Sequence, residues 1–552
     1  MTAAGAISDS GALLIGGTTT VAPGAGNSTT LDVATNNFVG AVSATNGANL
    51  TLVDANAIDL GATTITGNLS VTAAGAISDS GALLIGGTTT VAPGAGNSVT
   101  LDTATNNFVG AVSATNGANL TLVDANAIDL GATTITGNLS VTAAGAISDS
   151  GALLIGGTTT VAPGAGNSVT LDTATNNFTG AVSATNGANL TLVDANTINL
   201  GANTITGNLS VTTAGTITPS GAQTIGGSIT FNTGVAAQDI GLLDNAGLTG
   251  TSLTVTSGAM TTVSTLTFGG PVTLNSSGAI TVTSAVTATG AALSATATGA
   301  ITGAGGLTGT TLTLSGSSIG SATTALTLGA IGTLNGTVSG LTASTPLLGD
   351  VFNVSATSIG SIGSIAAKAG GVTHDVKIAA PGSTITVGGG SPSIDSTGTV
   401  AFTATGVGTV GTPMNVIAAG GDAGITCNAG TCTPPAFNLN ASTAVLTSQI
   451  NDVLAGIQAA LTSEQSGPSE LLSSGVLPEN IFKSLGSQVL EIVGGAEGFG
   501  EGGDSGEPVG VKIIDPIFEP GGTGGGDSGV GGGGTGQQQG SSDDEEKRKK
   551  KK

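Results

Sequence analysis

The first 210 residues consist of three nearly identical copies of one 70-residue unit, residues 1–70, 71–140 and 141–210. The first two copies differ at three positions, and the second and third differ at Val109 to Thr179, Ala127 to Thr197, Asp129 to Asn199 and Thr133 to Asn203. Repeats of fixed length predict an extended solenoid in which each unit packs against its neighbours. Three interchangeable copies also favour a stalk or a multivalent surface over a tailored active site.

Each unit contains short segments that recur about every 20 residues, a spacing typical of solenoid turns. In the second copy such segments begin at Val99, Leu120 and Leu139, and each opens with apolar residues at alternating positions. Alternation interrupted by Asn, Asp and Gly predicts strands that end in turns. The sequence therefore predicts an all-β fold, a right-handed parallel β-helix (solenoid) whose turns stack about 4.8 Å apart in a rod on the order of 100 Å long.

Three segments of different composition follow the repeats. Residues 211–440 keep the strand-and-turn pattern and are interpreted as a diverged β-helix. Residues 441–493 are expected to form a short helical segment that caps the solenoid, with helices over 441–461 and 478–493. Residues 494–552 are Gly-rich with an acidic and then a basic end, which predicts a disordered tail. The first helix is predicted from the spacing of Leu446, Ile450, Val453, Ile457 and Leu461.

Charged residues are few and unevenly distributed. The formal net charge is -23, from 33 acidic and 10 basic residues, yet residues 1–367 contain no Lys or Arg, and Trp and Tyr are absent throughout. No nucleic-acid partner is expected for the body, because binding a phosphate backbone needs clustered basic residues and often aromatic stacking. The absence of an apolar run of about 20 residues likewise predicts no transmembrane segment.

The N-terminus lacks the basic stretch and apolar core of a secretory signal peptide. The sequence begins at a repeat boundary, with Met1 where the next copies have Val71 and Val141. We therefore expect an upstream part, absent from this sequence, that carries the export signal.

The two cysteines, Cys427 and Cys432, lie close together in the segment CNAGTC. A zinc site would need more Cys or His ligands, and the single histidine, His374, is distant in the sequence. A local disulfide between Cys427 and Cys432 is favoured if the protein is exported, and two reduced thiols are the alternative in the cytoplasm. No metal or cofactor is expected.

Aspartates recur at fixed positions of the unit. Calcium ligation, catalytic carboxylate pairs and turn hydrogen bonding are the three interpretations. The calcium-binding pattern GGxGxD is absent, and the change from Asp129 to Asn199 argues against a required second carboxylate. Solvated or hydrogen-bonded turn residues are therefore favoured, and no catalytic residue is assigned. In the first copy these aspartates are Asp9, Asp32, Asp54 and Asp59.

Six Asn-x-Ser/Thr sequons recur at the same two positions of every copy. Asn-linked sugar is one use of such a sequon. In a chain so rich in Asn, Ser and Thr, we favour a structural use at turns. The sequons begin at Asn49, Asn68, Asn119, Asn138, Asn189 and Asn208.

The segments LTLVDANAIDLGATTITGNLSVTAAGAISDSG and VTLDTATNNFVGAVSATNGANLTL carry a resemblance to a known family. They resemble the repeat region of filamentous-haemagglutinin-like exoproteins, the passengers of bacterial two-partner secretion, over about residues 1–430. The resemblance implies a right-handed β-helix, export through a separate outer-membrane transporter, and adhesion, aggregation or biofilm formation at the cell surface. The family's N-terminal secretion domain has no counterpart in this sequence.

The leading hypothesis is a secreted or surface-exposed bacterial adhesin that acts through length and multivalency and binds an unknown cell-surface glycan or protein receptor. A carbohydrate-active β-helix enzyme that uses Asp carboxylates is the alternative from another class, since a glycoside hydrolase needs only two carboxylates at a suitable separation. An inert surface-layer or matrix scaffold would differ from the adhesin only in lacking a receptor.

Overall fold

The computed structural model of the chain describes residues 1–244, 247–339, 351–367, 375–387, 393–408, 414–427, 437–448 and 492–493. Nearly all of these residues lie in β-strands or in the turns between them, and the one helix among them is a short 3-10 turn at Gly241–Asp244. Almost all strand pairs are parallel, so the predicted parallel β-solenoid is confirmed. Within the described part of the chain, no helix has the length and apolar character needed to cross a membrane.

The three copies contain equivalent strands. The first copy has Ile7–Ser8, Leu14–Ile15, Thr19–Val21, Thr29–Leu31, Asn37–Phe38, Val42–Gly47, Leu50–Asp54, Ile58–Ile65 and Leu69–Ala73. The second has Ile77–Asp79, Leu83–Ile85, Thr89–Ala92, Val99–Leu101, Asn107–Phe108, Val112–Gly117, Leu120–Asp124, Ile128–Ile135 and Leu139–Ala143. The third has Ile147–Asp149, Leu153–Ile155, Thr159–Ala162, Val169–Leu171, Asn177–Phe178, Val182–Gly187, Leu190–Asp194, Ile198–Ile205 and Leu209–Thr213.

The diverged region continues with short strands and then with mostly longer ones. Short strands come first, at Ile217–Pro219, Gln223–Ile225, Ser228–Asn232, Gln238–Asp239, Leu248–Thr249, Ser252–Ser257, Met260–Thr261, Leu266–Phe268, Val272–Ser276, Ile280–Val282, Val286–Ala288, Leu293–Ala297 and Ile301–Gly303. Longer strands follow, at Leu307–Gly316, Leu326–Val338, Val351–Ala367, Asp375–Val387, Val400–Gly408, Met414–Cys427 and Phe437–Ser448, with the four-residue strand Ser393–Ser396 among them.

Within the repeats, each turn of the solenoid contributes to two sheets, which form its two faces. In the second copy, Leu120–Asp124 pairs with Leu139–Ala143 in one sheet, while Val112–Gly117 pairs with Ile128–Ile135 in the other. The chain therefore crosses from one face to the other about every ten residues, and one full turn takes about 20 residues, as the segment spacing predicts.

One copy spans an odd number of half-turns. Seven strand regions, alternating between the two sheets, begin at Val42, Leu50, Ile58, Leu69, Ile77, Thr89 and Val99. Equivalent strands of consecutive copies therefore lie in opposite sheets: Leu50–Asp54 and Leu190–Asp194 are in one sheet, and Leu120–Asp124 is in the other. Three and a half turns advance about 17 Å along the axis at the ~4.8 Å spacing of paired strands.

Alternating apolar side chains fill the interior. Leu120, Leu122 and Val141 are each at most 1 % exposed, and Phe108 is equally buried. Burying such a side chain stabilises the fold by about 1.5–3 kcal/mol. Because each turn adds only a thin layer of aliphatic side chains, the chain can build a core without Trp or Tyr.

Asn and Gly residues with positive φ form corners between strands. Asn46, Asn116 and Asn186 have φ values of 60°, 65° and 65°, and each stands before a Gly near the end of its strand. Asn is one of the few residues other than Gly that adopts this left-handed region readily. The chain can therefore change direction at the same point of every copy.

The predicted helix over residues 441–461 is wrong in its first part. Phe437–Ser448 is a strand paired in parallel with Met414–Cys427. The unpaired backbone of the preceding turn offers hydrogen-bond partners to this Thr- and Val-containing segment, so the sheet overrides the helical spacing. The diverged solenoid thus extends past the predicted boundary at residue 440.

The second predicted helix, over residues 478–493, is wrong at its end, where Ile492–Val493 is a short antiparallel strand beside Thr443 and Ala444. Pairing with the edge of the last long strand again replaces the helical conformation. The remainder of both predicted helices and the predicted tail over residues 494–552 lie outside the described residues.

Candidate functional site

Asp124 lies at the end of a strand and points into the solenoid, where it is 2 % exposed. Its Oδ1 accepts a hydrogen bond from the Asn126 amide at 2.6 Å, and its Oδ2 accepts one from the Phe108 amide at 2.8 Å. Asp54 and Asp194 make the equivalent bonds in their own copies. The carboxylate satisfies buried backbone donors from two turns, so this aspartate is a hydrogen-bonded turn residue.

Burial raises the pKa of Asp124 and of Asp194, because desolvation disfavours the charged carboxylate, and the hydrogen bonds from backbone amides oppose that shift only in part. One turn further along, Thr213 occupies the position after Asp194, and its Oγ1 accepts a hydrogen bond from the Gly215 amide at 3.2 Å. The residues stacked in the same way on Asp54 and Asp124 are Ala73 and Ala143, so a side-chain acceptor at this stacked position is found only after the third copy's aspartate.

Asp79 belongs to a second network, which ties consecutive turns together. Its Oδ1 accepts from the Asp102 amide at 2.9 Å, and its Oδ2 accepts from the Thr103 amide at 3.3 Å and from Asn106 Nδ2 at 2.7 Å. Asn106 is fully buried, and its Oδ1 accepts from the Leu83 amide at 2.8 Å. The same network recurs in the other copies, so these side chains are part of the scaffold.

Asp54 and Asp59 do not form a carboxylate pair. Asp54 points inward, whereas Asp59 lies between two buried residues of its strand and faces outward. In the second copy, Asp129 Oδ2 accepts from Ser150 Oγ at 2.7 Å, while its buried Oδ1 has no partner within the described residues. In the third copy Asn199 replaces this aspartate. Nowhere in the described part of the chain do three or more His, Cys, Asp or Glu side chains cluster as a metal site would require.

The sequon asparagines form a ladder along one corner. Asn49 Oδ1 accepts from the Asn68 amide at 2.8 Å, and Asn68 Oδ1 accepts from the Thr88 amide at 2.9 Å. Asn49 Nδ2 donates to Ser28 Oγ at 3.0 Å. Each asparagine oxygen thus binds the backbone of the next turn, which is the structural use at turns predicted from the sequence.

Two columns of outward-facing side chains run along one sheet, from the last strand of the third copy through the diverged region. The first contains Ser210, Thr230, Thr254, Thr273, Ser294, Thr313 and Asn335, and the second contains Thr212, Asn232, Thr256, Asn275, Thr296, Ser315 and Thr337. No register shift falls between these residues. Neighbours within a column are therefore about 4.8 Å apart, and the two members that share a strand, one from each column, are about 7 Å apart. We call these fourteen residues the neutral face.

The neutral face carries no charge and few internal hydrogen bonds. Asp239 and Asp244 are the only charged residues between positions 195 and 349, and neither belongs to the two columns. Asn232 Oδ1 accepts from the Gly234 amide at 2.9 Å and Asn335 Oδ1 from the Ser364 amide at 3.1 Å. The other twelve side chains make no hydrogen bond to the described residues, so their polar groups are free for solvent or a partner.

Sequence reasoning missed the neutral face and the alternation of the copies. The sequence does contain the information for the alternation, because the number of strand segments in one unit is odd. Equivalent strands of consecutive units must then lie on opposite faces. The face could not be recognised so directly, since its members lie in turns of unequal length. For example, Thr230 and Thr254 are separated by more residues than Thr254 and Thr273.

The predicted disulfide is not tested by the structure. Cys427 is the last residue of the strand Met414–Cys427, whereas Cys432 and His374 lie outside the described residues. The pairing of Cys427 with Cys432 therefore stays a prediction.

Comparison with known proteins identifies the repeat but assigns it no activity. Residues 1–45, 47–115, 117–185 and 187–251 match a family described as repeats of unknown function (DUF5649). The fourth match extends the recognisable repeat past residue 210, into the segment that the sequence indicated as diverged. Neither a curated protein nor a solved structure matches the chain. The chain is thus similar to a repeat family over its first 251 residues, and its solenoid is a repetitive structural scaffold.

Proposed function

We propose that this chain is a non-catalytic, adhesin-like structural protein that is secreted or held at the bacterial cell surface. The observation that carries the proposal is that equivalent strands of consecutive copies lie on opposite faces of the solenoid. A rod built in this way presents equivalent surfaces on both sides at regular axial intervals. One molecule can therefore contact one surface at several points or join two surfaces, and its avidity grows with the number of copies.

The hydrogen bonds of the aspartates support a structural role over a catalytic one. Asp79 and Asp124 accept hydrogen bonds from backbone amides of neighbouring turns, which fixes both carboxylates within the scaffold. Asp129 becomes Asn199 in the next copy, and the strand keeps its length and its pattern of buried residues. We assign no catalytic residue, metal or cofactor to the chain.

The proposed partners rest on the resemblance of the repeat to haemagglutinin-like exoproteins. They are an outer-membrane transporter of the two-partner secretion type and a cell-surface glycan or protein receptor. Residues 1–367 contain no Lys or Arg, so the body offers no cation to a strongly acidic receptor. A neutral or basic receptor fits this surface better.

Binding of the full chain to a glycan array and to suspended bacterial and host cells tests the proposal. Deletion of residues 71–140 removes one of the three copies. We expect the apparent affinity to fall by more than the number of copies does, because avidity depends on the number of sites engaged together. A folded chain that binds no glycan and no cell would favour an inert scaffold and overturn the adhesive function. Sugar release from a polysaccharide panel would overturn its non-catalytic character.

A further inference from the structure

We propose that the neutral face is a self-association surface through which two molecules of this chain pack sheet against sheet. The inference concerns a face that lies mainly in the diverged region, and it does not depend on the adhesive function proposed for the repeats. It rests on the charge, the periodicity, the free polar groups and the size of the face.

The neutral face is uncharged along all seven of its turns. By contrast, each copy of the repeat exposes one aspartate just after a strand. These residues are Asp32, Asp102 and Asp172. Two such surfaces would repel each other when brought together. The neutral face has no such residue in either column, so a second identical face can approach it without electrostatic cost.

The periodicity of the face makes a second molecule a geometric match. Both partners have the same spacing of about 4.8 Å between turns, so the side chains of one face fit between the rows of the other along the whole contact. Sheets packed in this way lie about 10 Å apart, and interdigitated polar side chains are typical of paired sheets with strictly repeated strands. Because the same surface serves both molecules, the contact is a closed two-fold dimer.

The free polar groups of the face can pair with each other across this contact. A Ser or Thr hydroxyl both donates and accepts, and an Asn amide does the same through its nitrogen and oxygen. Thr254 and Thr273, at the centre of the first column, make no hydrogen bond to the described residues. A second face can therefore satisfy the groups that it removes from water, which limits the desolvation cost.

The size of the face is adequate for a weak dimer. Seven turns give a length of about 34 Å, and five residues of strand give a width of about 17 Å. The contact would bury about 1,100 Å² over both molecules, close to the ~1,000 Å² that a specific interface needs. We therefore expect a dimer at micromolar concentration.

Sedimentation velocity of the full chain, at concentrations from about 1 to 100 μM, tests this inference. The wild-type chain should pass from a monomer of 51.7 kDa to a dimer across this range. Thr254→Lys combined with Thr273→Lys places two like charges on adjacent turns of the face. This variant should weaken the dimer at least about tenfold, because charges of both molecules then meet.

A matched control is available in the repeats. Thr121 and Ser140 occupy outward positions on adjacent turns of a repeat sheet. Thr121→Lys combined with Ser140→Lys should leave dimerisation unchanged, and circular dichroism should show that all three proteins are folded. A wild-type chain that stays monomeric up to 100 μM would overturn the inference. Equal weakening by both lysine pairs would also overturn it, as would a monomer that instead binds an insoluble neutral polysaccharide through this face.

Discussion

Thr29 and Val99 occupy the same buried position in consecutive copies, each 1 % exposed, and the Thr29 hydroxyl has no hydrogen-bond partner within the described residues. Burying an unpaired hydroxyl costs about 1–3 kcal/mol. Because Val99 already fits this site, we expect Thr29→Val to raise the free energy of local unfolding of the first turns by a similar amount. Native-state hydrogen exchange of the strands Thr29–Leu31 and Leu50–Asp54 measures this change.

The outward neighbour Thr30 provides the control for that substitution. Thr30→Val alters a partly exposed side chain, so we expect a change within about 0.5 kcal/mol. Equal stabilisation by both substitutions would show that β-propensity, and not the unpaired hydroxyl, is responsible.

Much of the fold is predictable because the repeat determines the period and the alternation determines which side chains face inward. Leu120 and Leu122 are buried where the pattern places them. The prediction of a helix over residues 441–461 is wrong in its first part because apolar spacing alone does not include the edge of the preceding strand, with which this segment pairs. Leu446 fits the apolar spacing of a helix, and it also fits a strand position beside Ile425 in the sheet. Only the tertiary context decides between the two conformations.

The site was less predictable, since it depends on register. The sequence predicted both Asp54 and Asp59 as turn residues, which is wrong for Asp59, because it lies within the strand Ile58–Ile65 and faces outward, whereas Asp54 ends its strand and points inward. The neutral face depends on which strands stack, and loops of unequal length hide this order in the sequence. Inward and outward positions can be inferred locally, whereas a surface column cannot.

Asn203 and Gln223 form a buried amide pair in place of Thr133 and Leu153 of the preceding copy. Asn203 Nδ2 donates to Gln223 Oε1 at 2.9 Å, and Gln223 Nε2 donates to the Gly201 carbonyl oxygen at 2.6 Å. Asn203→Thr alone removes the donor to Gln223, and we expect it to cost about 1–3 kcal/mol of unfolding free energy.

The double variant Asn203→Thr, Gln223→Leu recreates the pair found in the second copy, so most of that loss should be recovered. A double-mutant cycle by denaturant unfolding should give a coupling energy of about 1–3 kcal/mol. Additive effects of the two single variants would contradict the view that the two amides form one network.

Asp124 should make stability depend on pH. Burial raises its pKa in the folded state, so its contribution is fully present below the unfolded-state pKa and is lost as pH rises through the folded-state pKa. Asp124→Thr removes the titration and the bond from the Phe108 amide, while its hydroxyl can still accept from the amide two residues on, as Thr213 does from Gly215. The lost bond lowers stability at every pH, so only the pH dependence of the difference reports the titration. The difference in Tm between wild type and variant, followed from about pH 3 to pH 7, should therefore be largest at low pH. A difference that grows with pH would contradict the upward shift.

Deleting one copy should reverse the face on which everything downstream is displayed. Thr51 and Thr230 lie in the same sheet of the intact chain. Both residues are replaced by cysteine and labelled with biotin. Removal of residues 71–140 takes out three and a half turns and should place the two biotin groups on opposite sides of the rod. Removal of residues 71–210 takes out seven whole turns and should restore them to one side. Electron microscopy with bound streptavidin, after both native cysteines are changed to Ser, distinguishes these arrangements. Same-side labels in all three proteins would rule out the odd number of half-turns, and with it the two-sided display on which the proposed function rests.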